Sequence, residues 1–197
     1  MVILQPRMSP LMTVADFVDW PGDGPNTRYE LVDGVLRTIP LTSDTHNHIA
    51  GNLMDLMASQ LKLTRPGWRG VARPGIQPNL RAIWNFRVPD FCVACGPSRP
   101  GQFVTQDPIL IAEVLSPGNS QDTYENVRAY ATLSSVKEIL VVYSTSMKAE
   151  LLRRDASGAW PANPDMIEAG STIALETIGG TIALAECYAG TYLAASG

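Results

Sequence analysis

The chain of 197 residues, 45% hydrophobic and 17% charged, is the right size for one domain with a full core and has a soluble globular composition. No apolar run approaches the roughly 20 residues of a membrane span, and the start, Met1-Val-Ile-Leu-Gln-Pro6, is too short and too weakly charged for a signal peptide. Three cysteines, an odd number, argue against a disulfide framework and for a reducing, cytoplasmic setting, while a net charge of −4 speaks mildly against nucleic acid.

In chain order, residues 1–27 read as an arm, mobile over 1–12, and a short helix. Thr13 is its candidate N-cap, and Val14, Phe17 and Val18 are its apolar positions. Residues 28–197 read as the main domain. It begins with two strands over 28–39, joined by a tight turn at Asp33-Gly34, with Glu30 on the first strand. Ser43 or Asp44 caps a helix over about 45–61, whose apolar positions Ile49, Leu53, Leu56, Met57 and Leu61 follow helical spacing. His46 lies in its first turn. Residues 67–80 and 83–88 read as strands, and 95–106 as a Gly/Pro loop.

Pro108-Ile-Leu-Ile-Ala-Glu-Val-Leu115 has the near-continuous apolar pattern of a strand buried on both faces. A helix follows from Ser120 through Leu133, with Asp122 in its first turn, and then a second buried strand over 136–143. Strand, helix, strand in that order make a right-handed βαβ crossover if the strands are parallel. Residues 147–154 and a strand near Trp160 read as a hairpin over 155–158, and the chain ends in a short helix around 183–188.

The chemistry concentrates in Asp90, after Pro89, and Glu113, inside the buried run. A carboxylate there must be neutralised, paired or bound to a cation, because burying it unpaired costs several kcal/mol. Two acids at the ends of neighbouring strands suit a hard divalent ion. The bland alternatives are a Glu113 paired with Arg87 or Arg128, and an Asp90 that merely starts a turn.

Between Leu56 and Pro89 there is no acid, yet Lys62, Arg65, Arg69, Arg73, Arg81 and Arg87 lie there, interleaved with aromatics. This stretch either meets phosphates or is a solvated hairpin whose arginines shield apolar surface. His46 and His48 are two apart and cannot share a helix face. Cys92-x-x-Cys95 lacks the second ligand pair of structural zinc. Ser116 lacks the flanking glycines of a nucleophile elbow.

Arg28-Tyr-Glu-Leu-Val-Asp-Gly34, His46-x-x-Ile-x-x-Asn-Leu53, Val88-Pro-Asp90, Glu113-Val-Leu-Ser-Pro117, and Asp122 with Tyr130 eight residues on together resemble the Uma2 family. That family is placed among the endonucleases of the restriction-endonuclease-like PD-(D/E)xK superfamily. The resemblance implies an α/β fold, a single domain with a mixed central sheet flanked by helices. It implies Mg²⁺- or Mn²⁺-dependent hydrolysis of DNA by a homodimer. By it, Asp90 and Glu113 are metal-binding carboxylates, Glu30 is a further acid of the site and the Val114 carbonyl an extra ligand. Arg65, Arg69, Arg73, Arg81 and Arg87 would contact the nucleic-acid backbone.

Two positions depart from the pattern. The superfamily places a lysine two residues after the acid, where this chain has Leu115. Many relatives carry it on the next helix, where this chain has Asn126. Arg128 points about 200° round that helix and is a poor substitute; the resemblance places His46 near Glu30, and an imidazole suits proton transfer, so His46 is the better candidate. The resemblance therefore leaves two functions open: a weak nuclease, or a catalytically inactive domain of the same fold used in nucleic-acid binding or protein assembly. A third, a small-molecule hydrolase, predicts a closed apolar pocket at Asp90.

Overall fold

A computed structural model describes residues 11–24 and 27–194. In chain order its elements are α1 (Val14–Asp19), β1 (Tyr29–Val32), β2 (Val35–Thr38), α2 (Asp44–Thr64), β3 (Trp68–Ala72), β4 (Phe91–Cys95), β5 (Pro108–Leu115) and α3 (Ser120–Tyr130). They continue with β6 (Glu138–Tyr143), β7 (Lys148–Arg153), β8 (Asp165–Glu168), β9 (Thr172–Leu175), β10 (Gly180–Ala183) and α4 (Leu184–Cys187).

A six-stranded sheet in the order β3-β4-β5-β6-β7-β8 is the centre of the domain. Only β5 and β6 run parallel, joined across the sheet by α3; the other neighbours are antiparallel, so the sheet is mixed. Side-chain alternation along β5 sorts its residues between two layers. Leu110, Ala112 and Val114 pack with Ile49, Leu53, Met57 and Leu61 of α2. Ile111 and Leu115 pack with Val127 and Tyr130 of α3. Glu113 shares their parity and therefore faces α3. Its strand reads as uniformly apolar because both faces are covered.

The α2 helix starts where its cap predicts: Ser43 Oγ accepts the His46 amide at 3.2 Å. It runs to Thr64, beyond the 45–61 expected. In α1, Thr13 and Asp16 close a capping box, and Phe17 stacks against Phe86 at 5.1 Å. Met12 N–H bonds to Gly34 O at 2.9 Å. Gly34 has φ +82°, and a Cβ there would lie 2.8 Å from Leu11 Cβ, so this position requires glycine. Most of the expected arm, residues 1–10, lies outside the described residues.

Three expectations are corrected. Residues 67–80 and 83–88 are not two long strands: β3 stops at Ala72, residues 82–84 form a 3₁₀ turn, and only isolated bridges such as Ile76↔Arg87 remain. Pro74 and Pro78 lack donors for a ladder, and Arg73 and Arg81 adopt φ +47° and +43°, which break the pleat. The partner of β7 is β8 rather than a strand near Trp160. Pro161 and Pro164 lengthen that connection, and Trp160 instead sits under Arg154 at 4.4 Å and donates to Ala131 O at 2.9 Å. Third, α3 ends at Tyr130 rather than at Leu133.

Candidate active site

Asp33 and Gly34, both at positive φ, make a two-residue turn that fixes the register of β1 and β2 and sets Glu30 directly opposite Arg37. Arg37 Nη2 lies 2.6 Å from Glu30 Oε2, and Nη1 reaches Asp122 at 3.1 Å and Glu125 at 2.9 Å on α3. Nη2 also donates to Asn126 Oδ1. Burial works against this guanidinium, but the Glu30 hydrogen bond and the three carboxylates outweigh it and raise its pKa. On the other side, Glu30 Oε1 accepts from the Val88 amide at 2.8 Å and Asn126 Nδ2 at 3.1 Å, and Nδ2 is 3.3 Å from Oε2. A carboxylate offers about four lone-pair positions. Those of Glu30 are all taken.

Asp90 and Glu113 are brought together by the β4–β5 ladder. Phe91 pairs with Ala112, so extending that register by one residue sets Asp90 opposite Glu113. Asp90 Oδ2 accepts the Val114 amide at 2.8 Å, and Oδ1 is 3.1 Å from His46 Nε2. His46 Nδ1 lies 3.1 Å from Ser116 Oγ. Both ring nitrogens of this buried histidine are thereby engaged, one by Asp90 and one by Ser116. With the proton on Nε2 the ring donates to Asp90 and accepts from Ser116 O–H.

Glu113 is 7% exposed and accepts from Tyr130 O–H at 2.9 Å. Burial, then the Asp90 and Glu30 charges, push its carboxyl well above the ordinary range; bonds from Tyr130 and the Asp90 backbone pull the other way. The Tyr130 hydroxyl is also pushed up, by burial first and then by the Glu113 and Glu30 charges. Neither Arg87 nor Arg128 pairs with Glu113.

These side chains line one cavity of about 60 Å³, bounded by Glu30, Arg37, His46, Asp90, Glu113 and Asn126. Arg37 is the cationic side chain on its wall. Among the described residues no three His, Cys, Asp or Glu side chains stand ready as a metal-ligand set. Beside the cavity lies a groove of about 400 Å³ lined by Arg28, Arg73 and Asp90. This charged, open surround is not the closed apolar pocket expected of a small-molecule hydrolase.

The arginines singled out in the basic stretch scatter. Arg87 is 2% exposed, its Nε and Nη1 have no partner, and Nη2 is 3.9 Å from Glu125. Burial lowers its pKa. That position removes it from any surface a phosphate backbone could touch. Arg81 pairs with Asp33 at 3.2 Å, Arg65 sits over Trp68 at 5.6 Å, and Arg69 donates to Gly96 O at 3.0 Å. Of the five, only Arg73 borders the groove at Asp90. Cys92 and Cys95 lie three apart on β4 and so face opposite sides; Cys92 is buried, its thiol pushed up to about 12.

Sequence reasoning missed Arg37, Arg28 and the bracing role of Ser116. It left Asn126 as a mere absence and gave Tyr130 no role. For Arg37 a signal existed: a two-residue turn at 33–34 dictates that residues 30 and 37 face each other.

The model of the Uma2 family, described as "Putative restriction endonuclease", matches residues 14–185. An uncharacterized protein of Synechocystis sp. is 26% identical over 188 residues, covering 94% of this chain and 93% of that protein. The crystal structure of an Anabaena variabilis protein, titled a "putative nuclease belonging to DUF820", superposes with a TM-score of 0.70 at 15% identity. It covers 90% of this chain and 97% of that one, a likeness of fold. Among the described residues no helix is long and apolar enough to cross a membrane.

Proposed function

Because the chain belongs to the Uma2 family, we propose that it is a nuclease that hydrolyses phosphodiester bonds in DNA, using one Mg²⁺ or Mn²⁺ ion held by Asp90 and Glu113. One observation carries this reading: Glu113 is buried beside Asp90, and neither is paired with a lysine or arginine among the described residues. Two adjacent carboxylates in that setting call for a cation. Two protein carboxylates suffice for Mg²⁺, which keeps waters and takes phosphate oxygens as its other ligands. The cavity of about 60 Å³ has room for an ion and a little water.

When bound, the ion would activate water and offset the charge that builds on the phosphate. The chain's own residues set the stage. The Val114 amide and His46 fix both oxygens of Asp90, and Tyr130 fixes one oxygen of Glu113. In a strand a residue's N–H and C=O face the same neighbour, so the Val114 carbonyl faces Asp90 as well and would serve as a further oxygen donor. Glu30 would remain the anchor of Arg37 rather than a ligand, because its lone pairs are taken. Arg28 and Arg73, in no ion pair among the described residues, would grip backbone phosphates, which positions a strand without reading its sequence. Cutting both strands needs a second site, so a symmetric homodimer belongs to the same proposal.

The test is supercoiled plasmid with Mn²⁺, wild type against Asp90→Ala, beside calorimetric titration of the ion. Wild type should nick and linearise the plasmid, and the variant should do neither. An intact plasmid with no ion binding would end the nuclease reading. One observation favours a non-catalytic domain instead: Leu115 and Asn126 stand at both lysine positions, and Arg37 pairs with Glu30, Asp122 and Glu125 without any ion. That reading predicts DNA retention with no Mn²⁺-dependent cleavage.

A further inference from the structure

We propose that Arg37 withholds Glu30 from the divalent ion and so sets the ion's affinity: with Arg37 in place the site offers two carboxylates, and without it three. The inference rests on the reading that Asp90 and Glu113 hold the ion, and it assigns Arg37 as a positioning residue rather than a catalytic one.

Three features carry it. Glu30 lines the same cavity as Asp90 and Glu113. As they stand the three form no ligand set among the described residues, and Glu30 is held by Arg37. Its lone pairs, however, are committed to the Val88 amide, to Asn126 and to Arg37, with the 2.6 Å Arg37 bond the shortest of the set. Finally, Arg37 is itself clamped from the far side. Its two terminal nitrogens serve four acceptors, and three of these, Asp122, Glu125 and Asn126, lie on α3. Releasing Glu30 thus requires breaking the guanidinium away from a second element as well. Arg87 does not replace it, since it reaches only Glu125, at 3.9 Å.

Ligand charge count is a main determinant of how tightly oxygen sites hold divalent ions. Arg37→Gln should therefore bind Mn²⁺ about 10- to 100-fold more tightly than wild type, read by calorimetry or by Mn²⁺ electron paramagnetic resonance. Two double variants separate a released ligand from a simple change of net charge. Arg37→Gln with Glu30→Gln and Arg37→Gln with Glu125→Gln both restore the wild-type charge, but only the second leaves Glu30 free. The first should fall back to wild-type affinity and the second should stay tight. If both fall back alike, or if Arg37→Gln shows no gain, the proposal is overturned.

Should Arg37→Gln not fold, Arg37→Lys provides the reading, because one ammonium cannot satisfy four acceptors. It should gain about 3-fold or more, and no gain there overturns the idea equally. The wild-type arm judges the ion site by itself. A wild type that binds no ion defeats the proposed function. A Glu30-dependent gain on removing Arg37 still supports the role of Arg37.

Discussion

Replacing Glu113 by glutamine isolates the one charge on which the site depends. The amide has the same shape and can still accept from Tyr130, so what is removed is a buried negative charge between Asp90 and Glu30. Because the folded protein raises the Glu113 pKa above 4.5, it holds this proton more tightly than the unfolded chain does. Stability of the ion-free wild type therefore falls as pH climbs from about 4.5 to the raised folded value, and stays lower beyond it. Leaving a buried charge uncompensated costs about 3–5 kcal/mol. The neutral donors from Tyr130 and the Asp90 backbone return about 1.5–3 kcal/mol of that. The balance is a gain of roughly 1–3 kcal/mol for Glu113→Gln at pH 8 without divalent ions, which at about 2–4 °C per kcal/mol is a Tm rise of several degrees. Near pH 4 the two proteins should unfold together. Adding Mn²⁺ at 100 times its Kd should stabilise wild type by about 2.7 kcal/mol and leave the variant unmoved. Thermal and urea unfolding in chelator, then in Mn²⁺, at both pH values, test this. A variant less stable than wild type at pH 8 in chelator would refute the reasoning, since Glu113 would then be a structural acceptor and not a charge awaiting a cation.

Other residues of the site predict separable effects. Glu30→Gln turns an amide toward the Arg37 guanidinium and should lose about 2–3 kcal/mol in urea unfolding, as for a broken charge-assisted bond in a partly buried pair, while keeping measurable Mn²⁺ binding that Asp90→Ala lacks. His46→Ala frees Asp90 Oδ1 and should weaken Mn²⁺ binding about 10- to 100-fold in a calorimetric titration, the usual effect of losing a brace behind a ligand. Arg28→Ala and Arg73→Ala should each lower DNA affinity and reduce the slope of log K against log salt by about 1, with Mn²⁺ affinity unchanged. Arg65→Ala, on the far side of α2's end, should leave that slope as it is.

How much of this was legible in the chain differs residue by residue. The apolar run around Glu113 announced a carboxylate in the wrong place, and the alternation of β5 decides that it faces α3. Asp90 carried no such signal by itself, since an acid after Pro89 can merely start a turn, and it was the Val88-Pro-Asp90 motif that singled it out. The Glu30–Arg37 pair was also written in the sequence, since a two-residue turn leaves no freedom in register, but reading it required pairing residues rather than inspecting them singly. Asn126 and Tyr130 meet Glu30 and Glu113 across 96 and 17 residues, contacts that depend on how α3 crosses the sheet and on no local pattern. The basic stretch misled for a physical reason. Composition alone makes Arg87 look solvated, yet it is buried within reach of Glu125 on α3, and its backbone pairs with Ile76 in an isolated bridge.

The vacant lysine positions acquire a different meaning once Arg37 is placed. A guanidinium from β2 reaches the Asn126 side chain, so positive charge does come to the place on α3 that a lysine would occupy. It is not the same kind of charge. A lysine ammonium is a mobile point charge on a flexible stem, whereas this guanidinium is planar and its two terminal nitrogens serve four acceptors. It can hold α3 against the β1–β2 hairpin and tune the field at Asp90 and Glu113, but it cannot turn to meet a phosphate without abandoning three carboxylates. On the proposed function, charge stabilisation during hydrolysis would therefore fall to the divalent ion and to whatever Arg28 and Arg73 contribute from the groove. Loss of one preorganised stabiliser lowers a rate about 10²- to 10³-fold. The proposed function with this division of labour thus predicts a slow, strongly ion-dependent nuclease, and a rate that is fast or indifferent to Mn²⁺ would contradict it.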